Sequence, residues 1–150
     1  ILSGEINARA TGLTITDEGL RKSSAKSVRV GDILYALYGA TSGEVGISKI
    51  SGAINQAVLA IKVFEGYDSQ FVAIWLRNKK SEILRAYLQG GQGNLSGTIV
   101  RSLEIDTPCE EEQRKIGTYF RALDALIAKH ASQIQKLQQI NSACLEGMLL

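Results

Sequence analysis

Glycine and lysine at fixed spacing build phosphate cradles, so the stretch GDILYALYGATSGEVGISKI, residues 31–50, is the first place to look for chemistry. Gly39, Gly43 and Gly46 crowd between two apolar runs there. A Walker loop needs G-x-x-x-x-G-K-[ST] opening a helix, with the lysine on the phosphates. Gly39 and Gly43 are four apart, Glu44 stands where that lysine belongs, and no Gly-Lys pair occurs in the chain. The dinucleotide fingerprint G-x-G-x-x-G also fails, because Gly43 and Gly46 supply only its last half and ISKISGAINQAVLAIKV reads as strand. These residues predict a turn joining two strands, with glycine supplying positive φ.

Other chemistries lack their parts. Nuclease sites commonly set a carboxylate two residues before a lysine, so that metal and charge meet at one phosphate; the chain has no Asp-x-Lys or Glu-x-Lys triplet. A base methyltransferase of the amino class needs a Pro-containing loop such as Asn-Pro-Pro-Tyr around a flipped base, and the only proline is Pro108. Nucleophilic catalysis of the Ser-His-Asp or Cys-His kind would have to recruit His130, the single histidine, from a helical apolar stripe with no nucleophile at helical spacing. The chain is expected to be non-enzymatic by itself, with no metal and no cofactor.

The elements that position these residues divide at Pro108. Strand-forming runs cover residues 28–38, 45–50 and 53–63. From Asp68 to about Leu88, Phe71, Ile74, Trp75, Leu84, Tyr87 and Leu88 recur near helical spacing, which predicts one amphipathic helix on the sheet. QGGQGNLSG, residues 89–97, follows as a polar loop, and TIVRSLEI after it reads as a closing strand. The fold class is therefore α+β: a β-rich domain over residues 1–107 with a packed helix, then a long helix over residues 108–150. Thr107, Pro108 and Glu110 make a capping box with proline at the first helical position.

That long helix carries Ile116, Phe120, Leu123, Ile127, His130, Ile134, Leu137, Asn141, Cys144 and Met148 at alternating steps of 4 and 3, the period of a coiled-coil seam. Tyr119, Leu126 and Ile140 add a second stripe seven apart. His130 and Asn141 interrupt the seam as polar groups able to set register. No mate for this helix exists within the chain, so a second copy or another subunit is expected to cover it.

Composition limits the partners. The chain has 150 residues, 45% of them apolar, and a net charge of +2, too small a basic excess to hold nucleic acid by phosphate attraction alone. Two local clusters stand out: Arg21, Lys22, Lys26 and Arg29, and Arg77, Lys79, Lys80 and Arg85. A solvated face explains either equally well. No apolar run is long enough to span a bilayer. Cys109 and Cys144, far apart, suggest reduced thiols in the cytoplasm. Opening on Ile1 without a leader, the chain is expected to begin upstream.

Four segments, GDILYALYGATSGEVGIS, AINQAVLAIKV, GGQGNLSG and PCEEEQRKIGTYFRALDALIAKHASQIQKLQQ, together resemble one half of the DNA-specificity (S) subunit of Type I restriction–modification enzymes. The resemblance implies a target-recognition domain reading one half of a bipartite site in double-stranded DNA. It also implies a conserved helix that spaces two such domains and docks methyltransferase subunits and, through them, restriction subunits. In the family two domains are separated by two antiparallel helices; here one domain, lacking its first strands, precedes one helix, so a homodimer through the helix would rebuild the whole. On this reading Tyr38, Thr41, Ser42, Gln92, Asn94 and Ser96 are the candidate readers of base edges, and Arg21, Lys22 and Lys26 the candidate phosphate contacts. The alternative is a coiled-coil scaffold without DNA specificity.

Overall fold

The computed structural model describes residues 5–6, 14–88 and 94–148. It divides into two units, Ile1–Gly117 and Thr118–Leu150. In the first, a four-stranded sheet has the order β1 (Glu5–Ile6), β4 (Val45–Ser48), β3 (Ile33–Ala36), β6 (Val58–Ile61), and a ribbon pairs β2 (Lys26–Val28) with β5 (Gly52–Ile54). β3 lies antiparallel to both neighbours, with Tyr35 level with Val45 and Leu59, while β1 runs parallel to β4. All four β3 residues are buried, because a central strand covered on both faces needs no polar alternation. Phe71, Val72, Ala73 and Leu76 of α2 (Ser69–Asn78) complete the core with Ile83, Leu95 and Val100. A sheet with helices, ending in a long helix, makes the fold α+β as expected.

The strand boundaries differ from those the apolar runs suggest, and side-chain hydrogen bonds explain why. The run 28–38 is two strands, because the Arg29 N–H donates to Asp32 Oδ2 at 2.8 Å and Gly31 turns the chain at φ 93°. The run 53–63 is also two, because Asn55 Oδ1 accepts the Ala57 N–H at 3.1 Å and folds a turn between β5 and β6. Both turns are Asx-type competition between side chain and backbone.

The expected helix over 68–88 is likewise two, α2 and α3 (Lys80–Leu88), parted at Lys79 where ψ flattens to −2°. TIVRSLEI is no strand: Ser96 Oγ accepts the Ile99 N–H at 3.2 Å and caps the helix α4 (Gly97–Arg101). A hydrogen-bonded cap and burial of Val100 outweigh the strand propensity of Thr98, Ile99 and Val100.

Helix α5 (Glu110–Met148) is 39 residues long and begins two residues after Pro108. Its first i→i−4 bond runs from Gln113 N–H to the Cys109 carbonyl, and Glu110 pairs with Arg114 instead of closing a capping box on Thr107. Gln113 is 2% exposed. Its Nε2 donates to the Pro108 carbonyl at 2.9 Å, and its Oε1 accepts the Asp68 N–H at 3.2 Å, which ties the first turns of α5 to the start of α2. Asp68 itself caps α2 by accepting the Phe71 N–H at 2.8 Å. A methyl group at Gly117 would collide with Asp68 Oδ1 and lie 3.2 Å from Gln70 Cβ, so this helical glycine is there for close packing. Among the described residues no helix is long and apolar enough to cross a membrane.

Candidate nucleic-acid interface

The site grows from the end of β3. Gly39–Thr41 forms a single 3-10 turn between β3 and β4, and Gly39 and Gly43 take φ of 72° and 80° to make it. Backbone bonds close the loop tightly: Ala36 N–H to the Glu44 carbonyl, Gly43 N–H to the Ala36 carbonyl, and Ser42 N–H to the Gly39 carbonyl, at 2.9–3.0 Å. The strand-to-strand turn predicted from the glycines is the one observed. Gly43 also lies under α3, where an added Cβ would stand 3.0 Å from Lys80 Cγ.

The backbone of one residue gathers the loops. Leu37 O accepts the Ser42 hydroxyl at 3.1 Å and the Leu95 N–H at 3.0 Å, while the Leu37 N–H donates to the Ala57 carbonyl at 2.8 Å. The glycine loop, the β5–β6 turn and the segment leading into α4 are thereby brought to the same end of the sheet. Leu95 is fully buried and anchors its segment, so the polar residues beside it stand outward. The β2–β5 register sets Lys26 opposite Ile54, next to the Asn55 turn, so Lys26 belongs to this end as well.

The predicted readers divide accordingly. Tyr38 is 41% exposed at the loop mouth, and Thr41 and Asn94 are exposed. Ser96 is exposed but its oxygen caps α4. Ser42 corrects the expectation: it is 8% exposed and its hydroxyl is turned inward on Leu37, so it builds the loop and has no reach outward. Gln92 lies outside the described residues. Arg21 and Lys22 sit at the end of α1 (Asp17–Lys22), with Lys22 paired to Glu18 at 2.6 Å. In the second basic cluster, Arg77 Nε donates to the Val45 carbonyl at 3.0 Å, Lys79 pairs with Glu82 at 2.8 Å, and Lys80 pairs with Glu44. Arg77 and Lys80 thus tie the helices to β4 and to Glu44 before it, while the Lys79 pair is local.

Asn55 and Gln56 are exposed in the third loop and were not among the candidates. Their signal was the polar pair inside AINQAVLAIKV, which a single long strand would point to opposite faces, putting one of the two on the core side. On α5, Ile116 packs against the core and is removed from the seam, whereas Ile127, Ile134 and Leu137 are 66%, 56% and 65% exposed. Phe120 meets Tyr119 edge to face at 5.6 Å, Leu123 is half-buried, and His130, Asn141 and Cys144 are exposed. The Met148 side chain lies outside the described residues.

The chain is similar to known proteins in sequence and in fold. The Type I restriction enzyme MjaIX specificity subunit of Methanocaldococcus jannaschii is 28% identical over 128 residues, 84% of this chain and 29% of that protein. A chain from a structure of complex assembly and conformational transition of the type I R-M system superposes with TM-score 0.58 at 19% identity, covering 69% of this chain and 25% of that one. The HsdS subunit from Thermoanaerobacter tengcongensis superposes with TM-score 0.50 at 21% identity, covering 69% and 24%. At such identities the structural likeness bears on the fold alone, and the chain spans under a third of the curated relative's length. The family model of the Type I restriction modification DNA specificity domain matches residues 2–139, a stretch that takes in all three loops and most of α5. On the strength of that match, the chain belongs to the Type I restriction modification DNA specificity domain family.

Proposed function

We propose that this chain reads one half of a bipartite DNA target within a Type I restriction–modification complex, contributing recognition and no catalytic step. Residues 1–107 are the recognition domain, and residues 108–150 form the helix that spaces two domains and docks methyltransferase subunits. Convergence of the glycine loop, the Asn55 turn and the Asn94 segment on Leu37 is the observation that carries this reading. Base edges are distinguished by donors and acceptors held rigidly near the groove. Tyr38, Thr41, Asn94 and Gln56 supply such groups from a buried scaffold, Asn55 adds its amide nitrogen while its oxygen holds the turn, and Gln92 and Ser96 lie in the adjoining stretch. Lys26, Arg21 and Lys22 contact phosphates. With a net charge of +2, most phosphate neutralisation falls to partner subunits. A second copy of the chain, paired through α5, supplies the other half-site reader, and the complex works in the cytoplasm.

Binding by the complete complex tests the assignment. Asn94→Ala with Asn55→Ala should cost about 1–3 kcal/mol per lost base contact on the true target and little on random DNA. Lys26→Ala should weaken both alike and lower the salt slope by about 1. Unchanged sequence preference in the asparagine variants would overturn the assignment of these loops.

A further inference from the structure

The unit Thr118–Leu150 carries an apolar stripe on which Ile127, Ile134 and Leu137 are exposed. The reading above supplies a second copy as its partner, and the inference here rests on that reading and concerns how the two copies register. The seam from Leu123 to Met148 is symmetric about a point level with Gln135 and Lys136. Ile134 and Leu137 lie equally far from that point, as do His130 and Asn141, Ile127 and Cys144, and Leu123 and Met148. We propose that two copies pair antiparallel about a two-fold axis at Gln135–Lys136, with His130 of each copy hydrogen-bonded to Asn141 of the other.

Polar complementarity selects this register. In an otherwise apolar seam an unpartnered amide or imidazole is costly, and a ring with one donor and one acceptor nitrogen matches an amide that offers both. Sliding one heptad either way sets His130 against Ile134 or Met148, and Asn141 against Leu123 or Leu137. Every such slip strands four polar groups per dimer. Parallel pairing in register would stack His130 on His130 and Cys144 on Cys144. It is normally fixed by ion pairs between the positions flanking the seam. Those positions here are Leu126, Gln133 and Ile140 on one side and Asp124, Ala131 and Gln138 on the other, a single charge among them.

The area suffices: two helices paired over this span bury roughly 1,500 Å² in total, within the range of stable interfaces.

Oxidative cross-linking of the whole chain tests the register, with exposed Cys109 removed by Cys109→Ser. Adding Ile127→Cys should place its thiol opposite Cys144 of the other copy and give a disulfide-linked dimer, while Cys109→Ser alone stays uncross-linked. Cross-linking by Cys109→Ser alone would mean parallel pairing and would overturn the register while leaving dimerisation intact. A dimer by light scattering that cross-links in neither variant would overturn it too. A monomer by light scattering would instead refute the homodimer reading beneath it. As an independent readout, His130→Leu and Asn141→Leu should each weaken dimerisation about tenfold, and the double variant should recover most of that loss. Additive losses would contradict the pair.

Discussion

Replacing Gln113 by methionine isolates the two hydrogen bonds that fasten α5 to the recognition fold. The side chain is 2% exposed, and methionine keeps its length and nearly its volume, so packing changes little. What disappears is the 2.9 Å bond to the Pro108 carbonyl and the 3.2 Å bond from the Asp68 N–H. Both bonds are part-buried, so losing them should cost about 2–4 kcal/mol in total. Trp75, the only tryptophan, sits half-buried on α2 seven residues from Asp68 and reports unfolding by its fluorescence. With a urea slope of about 2 kcal/mol/M, the midpoint should fall by about 1–2 M. Gln135→Met, on an exposed stretch of the same helix, should change stability by under about 0.5 kcal/mol. If Gln113→Met moved the midpoint no more than Gln135→Met, the anchoring role would be refuted.

Two further substitutions probe the scaffold. Gly43→Ala meets positive φ and a Lys80 contact at 3.0 Å, whereas Gly39→Ala meets positive φ in open space. Urea unfolding should therefore rank Gly43→Ala as the worse, at about 2 kcal/mol against about 1; the reverse order would contradict the packing of the glycine loop under α3. Tyr35 is fully buried, its hydroxyl has no hydrogen-bond partner among the described residues, and burial pushes its phenol above the ordinary value. A folded pKa raised above the unfolded one gives stability that is complete at neutral pH and declines as pH rises past about 10. Tyr35→Phe should remove that share of the alkaline decline and leave stability at pH 7 within about 1 kcal/mol or slightly higher; a large loss at pH 7 would mean the hydroxyl is bonded.

Local signals were legible in the sequence, and signals whose cause lies at a distance were not. The apolar stripe of α5 repeats every few residues, so the long helix shows without any tertiary knowledge. The glycine turn needed only positive φ at Gly39 and Gly43. By contrast, the breaks at Asn55 and Lys79 follow from single side-chain bonds or a single flattened ψ, against apolar patterns that continue on both sides. TIVRSLEI was misread because its β-branched residues speak for a strand until Ser96 is recognised as a cap. Gln113 could not be singled out, since the Asp68 N–H that it accepts is 45 residues away. The hub of the candidate site is the Leu37 backbone, which leaves no side-chain trace, and Ser42 was assigned outward because nothing local says its hydroxyl turns in.

Sequencing modified bases in a host carrying the complete system tests the central claim most directly, since the methylated motif states what the chain reads. With Tyr38→Ala, Asn55→Ala and Asn94→Ala combined, the motif should relax or vanish in the half read by this chain. Gln135→Met should leave the motif as it is. An unaltered motif in the triple variant, at full modification, would contradict recognition by the loops gathered on Leu37.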